Sequence, residues 1–190
     1  MQFSVDQGDI AAQKADALVN AAGTSLEMGS GVEGALRRGA GPEINEEATS
    51  KGPVDLGEVA VTDAYDLDVR KSWSDFRSHQ KSGISEDAEY VIHAAAMPHY
   101  GDGEATAESI RAATRNALAA ADERGCESLV IPALGCGVAG FDLTEGARII
   151  PEEILEFDPD SLRDVRFIAY ADDEYDTVGR VASEVRERSG

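Results

Sequence analysis

Apolar positions along the chain fall into two periods. Short runs rich in valine, isoleucine and tyrosine, bounded by glycine, aspartate or asparagine, lie at 2–5, 17–20, 58–62, 90–94, 128–132 and 165–170 and predict six β-strands. Between them helical spacing takes over. Residues 104–124 set Ile110, Ala113, Ala117, Leu118 and Ala121 on one face and stop at Gly125, a left-handed terminator. Residues 174–188 place Val178, Val181 and Val185 on one side. Asp142 with Glu145 reads as a capping box opening a helix to about Phe157, and Pro151 is expected to kink or split it. Helix also fits 32–39 and 42–51. The order, roughly β-β-α-α-β-β-α-β-α-β-α, is that of a layered α/β domain with a central sheet covered on both faces. The runs at 17–20 and 128–132 each lead into a glycine loop. Ligands bind at the carboxyl ends of strands in such sheets, so both loops are expected on one edge.

Residues 71–87 break this pattern. They are polar and aperiodic, hold the only tryptophan (Trp73), two of the four lysines and His79, and read as a surface excursion inserted between two strands. The remaining composition bounds the molecule. A chain of 190 residues with 42% apolar content supports one core, so a single domain over 1–190 is expected. No apolar stretch approaches the roughly 20 residues of a membrane span, and the N-terminus has no signal-peptide core, so no membrane partner is expected. Cys126 and Cys136 have no framework around them and read as reduced cytoplasmic thiols.

Charge changes the picture most. There are 37 acids against 17 bases, spread along the chain. Such a surface repels itself in dilute buffer and is screened at molar salt, where the Debye length is about 3 Å. The expected setting is the cytoplasm of a halophilic archaeon, and the expected oligomeric state is a monomer. The same surface is a poor platform for nucleic acid, which is held chiefly by lysine and arginine. Any anionic ligand must be held by local dipoles.

Two loops offer such dipoles. Gly29-Ser30-Gly31-Val32-Glu33-Gly34 and Gly135-Cys136-Gly137-Val138-Ala139-Gly140 both fit G-x-G-x-x-G. Glycine lets backbone N–H groups turn toward a phosphate, and a helix starting at the loop adds its unpaired amides. Two such loops at one end of a sheet suit a diphosphate. A dinucleotide-binding oxidoreductase fits poorly. Its first glycine follows a strand directly, with an acid at the end of the next strand about 20 residues on. Gly29 lies nine residues beyond Asn20, and helix and polar loop follow Gly34.

The order of motifs is more specific than either loop. Gln7-Gly8-Asp9-Ile10, Asp16-Ala17-Leu18-Val19-Asn20-Ala21-Ala22 and Gly29-Ser30-Gly31-Val32-Glu33-Gly34-Ala35-Leu36 resemble the opening of a macro domain. Tyr90-Val91-Ile92-His93 resembles that family's Y-V-I-H strand, and the run from Ile131 to Phe141 resembles its second glycine loop. The resemblance implies a three-layer α/β/α fold with a mixed sheet, and ADP-ribose or an ADP-ribosylated protein as partner, without a cofactor. By the same resemblance, Asp9 would accept the adenine amino group and Ile10 would lie under the base. Asn20 would bond the distal ribose, and Gly29, Gly31 and Val32 with Leu134, Gly135, Cys136, Gly137, Val138, Ala139 and Gly140 would hold the diphosphate. Phe141 would pack on the distal ribose and Tyr170 against adenine. Each has a plainer reading: Asp9 as a helix cap, Asn20 as a strand-end turn, Phe141 and Tyr170 as core.

The resemblance also implies hydrolysis of ADP-ribosyl esters, ADP-ribose-1″-phosphate or O-acetyl-ADP-ribose, with Glu33 and Asn20 as the catalytic pair. The alternative is a non-catalytic reader. The sequence departs from the hydrolytic pattern at two points: Gly23 replaces an asparagine and Glu33 an aspartate. Glu33 falls in the first turn of a helix, whose dipole is expected to lower its pKa and weaken it as a base. Cys136 has no histidine beside it in sequence, so covalent catalysis is not expected. His93 reads as structural, and with His79 and His99 makes no zinc-ligand spacing.

Overall fold

The computed structural model describes residues 1–67, 88–99, 102–137 and 139–189; the expected excursion at 71–87 lies outside the described residues, as does Val138. Strands β1 (Gln2–Gln7), β2 (Ala17–Gly23), β3 (Val59–Asp63), β4 (Tyr90–Met97), β5 (Ser128–Pro132) and β6 (Asp164–Ala169) form one sheet in the order β1-β6-β5-β2-β4-β3. Every neighbouring pair is parallel except β3, which runs antiparallel to β4 at the edge. The described residues also contain helices α1 (Gly31–Ala40), α2 (Glu43–Lys51), α3 (Ala107–Asp122), α4 (Leu143–Glu156) and α5 (Asp172–Ser189). The chain therefore has the expected mixed-sheet α/β/α architecture.

Strand periodicity divides the core into two layers. Ala17, Val19, Ile92, Ala94, Leu129, Ile131, Val165 and Phe167 face α3, α4 and α5. Leu18, Val91, Val130 and Ile168 face the opposite way, toward Leu36 and Ala40 of α1 and Ile44 of α2. β2 and β4 are central and covered on both sides, which is why their apolar runs are nearly continuous. At the amino ends of the strands, Asp16 ties β2 to β5: its carboxylate accepts the N–H groups of Glu127 and Ser128 at 2.8 and 2.9 Å and the Ser128 hydroxyl at 3.0 Å.

Helix ends follow local chemistry. Thr106 and Ser109 form a reciprocal capping box at α3, which ends before Gly125 at φ +73°. At α4 only half of the expected box forms. Asp142 accepts the Glu145 N–H at 3.0 Å, while the Glu145 carboxylate pairs with Arg148. Pro151 does not split α4, which runs unbroken through it. The buried face of Ala147, Ile149, Ile150 and Ile154 holds the helix together against a proline penalty of roughly 3 kcal/mol.

Candidate functional site

Five parallel strands point their carboxyl ends at one cleft. Gly8 follows β1, Ala21 to Gly23 end β2, Met97 ends β4, Pro132 and Ala133 end β5, and Tyr170 follows β6; all line a cavity of about 1040 Å³. Both glycine loops open into it, as expected. From the first come Gly29, Ser30, Gly31, Val32 and Glu33, and from the second Gly135, Gly137 and Ala139.

The first loop ends at the amino terminus of α1. Its N-cap residue, Ser30, makes no side-chain cap bond, and Gly31 takes φ +63°, with open space where a Cβ would be. The first-turn amides of α1 therefore stand available at the cleft. In the second loop Gly135 has φ +72°, and a Cβ there would lie 2.7 Å from that of Ala105. The Gly135 carbonyl accepts the Phe141 N–H at 3.1 Å, closing the loop just before α4.

Glu33 reaches back from α1 into the base of the first loop. Its Oε2 accepts the Gly29 N–H at 3.0 Å, and the Gly23 N–H also bonds the carboxylate. Burial raises its pKa above the ordinary carboxyl value, and the two backbone bonds pull it down only in part. This reverses the expected sign: desolvation outweighs the helix end. Gly23 cannot readily bear a side chain, because a Cβ would lie 3.0 Å from the Pro98 carbonyl oxygen.

Asn20 is corrected by the fold. It is fully buried, does not line the cleft, and cannot bond a ribose there. β2 runs three residues past it to Gly23, so the strand's carboxyl end lies at Gly23, and pleating turns Asn20 inward beside His93. Its Nδ2 meets His93 Nδ1 at 3.1 Å, and His93 Nε2 meets Thr62 Oγ1 at 3.0 Å. Asn20 is thus removed from the catalytic pair.

Other expected contacts divide. Leu134 is fully buried in the core behind its loop, not in the cleft. Cys136 turns its Sγ toward the Leu134 carbonyl at 3.4 Å and against Gly146 of α4, where any Cβ would collide with it. Burial pushes that thiol up to about 12, which disfavours its thiolate form. Gly140 is exposed, and neither it nor Phe141 lines the cleft; Phe141 packs on the core beside α4.

At the other end of the cleft lie Asp9, Ile10, Ile168, Glu174 and Tyr170. Asp9 is also the cap its plainer reading foresaw, accepting the Ala11 N–H at 2.9 Å. Tyr170 is 75% exposed, so it is not a core residue as its plainer reading had it. Glu174 holds the turn below it by accepting the Tyr170 N–H at 2.7 Å. Sequence reasoning missed Met28, Arg37, Arg38, Asn45, Thr49, Met97 and His99, all of which line the cleft. Arg37 and Arg38 carried a legible signal: two adjacent cations, one and two residues beyond Leu36, in a chain poor in bases.

Comparison with known proteins agrees with this architecture. The Macro domain family profile matches residues 19–72 and 79–150. An uncharacterised Mycobacterium tuberculosis protein is 37% identical over 172 residues, covering 90% of this chain, although the chain spans only 42% of that relative's length. A Sulfolobus acidocaldarius protein is 34% identical over 95% of this chain and 90% of its own. A macro domain-containing protein of Streptomyces nogalater is 33% identical over 92% of this chain and 88% of its own. Among solved structures, an Oceanobacillus iheyensis macrodomain variant with ADPR superposes at TM-score 0.77 and 23% identity, covering 97% of this chain and 92% of that one. A Trypanosoma brucei macrodomain in complex with ADP-ribose superposes at 0.74 and 26% identity, covering 94% and 68%. The chain belongs to the macro domain family.

Proposed function

We propose that the chain binds ADP-ribose along this cleft and hydrolyses ADP-ribosyl esters at the distal ribose, with Glu33 as general base. The observation that carries this reading is Glu33 itself: a carboxylate of raised pKa, lining the cleft and bonded to Gly29 of the first glycine loop and Gly23 at the end of β2. The 26% identical Trypanosoma macrodomain, solved with ADP-ribose, supports the ligand. Adenine lies by Asp9, Ile10 and Tyr170, and the diphosphate lies between the backbone amides of Gly31 and Val32 and those of Gly135, Gly137 and Ala139. Distal ribose then falls beside Gly23 and Glu33. A water bonded to Glu33 attacks C1″, its proton passes to the carboxylate, and the bond from C1″ to the acceptor oxygen breaks. The acceptor leaves as a carboxylate, and Glu33 returns its proton to solvent. The substrates in view are mono-ADP-ribosylated aspartate or glutamate; ADP-ribose-1″-phosphate, from which the same attack at C1″ releases phosphate; and O-acetyl-ADP-ribose. In the last the water attacks the acetyl carbonyl instead, the ester C–O bond breaks and acetate leaves.

One observation favours a reader instead. Glu33 Oε2 is engaged by the Gly29 amide, and Gly23 supplies no side chain to position water. Calorimetry with ADP-ribose, followed by incubation with a glutamate-ADP-ribosylated peptide, separates the two. The enzyme reading expects micromolar binding, release of ADP-ribose by the wild type, and loss of release with retained binding in Glu33→Gln. Binding without release supports the reader, and no binding rejects both.

A further inference from the structure

The first turn of α5 carries three acids with different surroundings. Asp172 accepts Gln7 Nε2 at 2.7 Å and ties the helix to β1, and Asp173 is exposed; neither lines the cleft. Glu174 does line it. Its Oε2 turns back over the end of β6 to accept the Tyr170 N–H at 2.7 Å and the Ala171 N–H at 3.4 Å. Capping of its own helix by a first-turn acid accounts for that oxygen. It does not account for the other. Oε1 has no partner among the described residues, and the side chain is half-buried at the cleft wall.

Two observations fix where that free oxygen can act. Through Tyr170 the carboxylate is tied to the residue whose ring stands exposed at the end of the cleft that holds Asp9 and Ile10. On the other side it is felt by the second glycine loop: after burial, the Glu174 charge is the strongest influence raising the Cys136 thiol pKa. One carboxylate is therefore near both the base end of the cleft and a loop assigned to the diphosphate. In a nucleoside diphosphate the group joined to both base and diphosphate is the ribose. Its free hydroxyls can donate, and a carboxylate is acceptor-only.

We propose that Glu174 is a specificity residue: it accepts a hydrogen bond from the 2′,3′-diol of the nucleoside ribose, and so selects ligands whose diol is free over those that carry a 2′-phosphate. The proposal rests on the nucleotide reading of the cleft. Two backbone N–H groups already hold the carboxylate in place, so little ordering is needed when the ribose arrives. A 2′-phosphate replaces a donor with a charge of about −1.5 to −2, facing a carboxylate of the same sign.

Calorimetric titrations at constant ionic strength compare ADP-ribose with ADP-ribose 2′-phosphate, and ADP with 2′,3′-dideoxy-ADP. Wild type is set against Glu174→Gln, which keeps an acceptor for the Tyr170 N–H. The control is Glu187→Gln, which removes one charge from an exposed position near the far end of α5, outside the cleft. Thermal melts verify folding. Wild type binds ADP-ribose at least about tenfold more tightly than its 2′-phosphate, and ADP at least about fivefold more tightly than the dideoxy form. Both ratios fall at least about threefold in Glu174→Gln and stay within about twofold of wild type in Glu187→Gln. A capping role alone would lower stability and leave both ratios where they were. Three results overturn the proposal: the wild type lacks either preference, either ratio survives Glu174→Gln, or Glu187→Gln lowers them as much. ADP-ribose binding without these preferences rejects the proposal alone. Failure of both ADP-ribose and ADP to bind rejects the nucleotide reading, and the proposal with it.

Discussion

His93 sits wholly inside the sheet, its ring held between Asn20 and Thr62. Burial lowers its pKa to about 4, so the folded protein keeps it neutral while an unfolded chain protonates it near 6.5. Its contribution to stability is present above about 6.5 and is lost as pH falls toward 4, by about 3 kcal/mol over that window. Urea unfolding at pH 7 and pH 4 should show His93→Asn losing less on acidification than the wild type; equal losses would remove the assignment. Glu33 carries the opposite sign. Its raised pKa displaces the acid limb of ester hydrolysis upward from the ordinary carboxyl range, because the base must be ionised. A pH–rate profile whose acid limb falls at or below an ordinary carboxyl would take the base role from Glu33. At this scale the spacing of the glycine loops brought part of their backbone to the cleft: Gly31, Gly135, Gly137 and Ala139 line it, whereas Leu134, Cys136 and Gly140 do not. The sequence misled where a side chain's direction mattered. The apolar run gave no sign that β2 continued past Asn20, and that continuation moves the strand end to Gly23 and turns the asparagine into the interior.

Helices α3 and α4 are joined by charge as well as by packing. Glu153, only 4% exposed, accepts Arg111 at 2.9 Å and Arg115 at 2.7 Å, and Glu152 takes a second bond from Arg111 at 2.7 Å. Breaking a buried pair costs roughly 3–5 kcal/mol. Here both arginines remain 41% and 62% exposed and keep water when unpaired. Glu153→Gln is therefore expected to cost about 2 kcal/mol in urea unfolding, with Glu152→Gln costing much less; equal costs for the two would deny the buried position its role. Nothing in the sequence singled out Glu153, because an acid within an apolar helix face looks like an interruption until its partners on α3 are in place. The elements themselves were legible: all six strands and five helices fall where periodicity put them, since central parallel strands and amphipathic helices write burial directly into residue order. Pro151 does not split α4 because intrinsic propensity is local, whereas the apolar face that keeps α4 whole packs on distant strands.

For the whole molecule, net charge −20 sets how the fold and its cleft respond to salt. Folding draws the acids together, so screening favours the compact state over the expanded chain. The midpoint of thermal unfolding should rise from 0.1 to 2 M KCl, over which the Debye length falls from about 10 Å to below about 3 Å. A flat or falling midpoint, or an equal rise in sucrose, would deny that charge is responsible. Ligand binding gives the sharper form of the argument. A diphosphate held by lysine and arginine side chains is released as salt screens the attraction. In the proposed groove, however, the donors are backbone amides of Gly31, Val32, Gly135 and Gly137, and the field of the protein opposes the ligand. Salt should then strengthen ADP-ribose binding, by about threefold between 0.05 and 1 M KCl, because it screens repulsion over longer range than the short N–H contacts it leaves intact. Calorimetric titrations across that range decide the matter: affinity that weakens steeply with salt would place cationic side chains, Arg37 and Arg38 first among them, on the diphosphate itself.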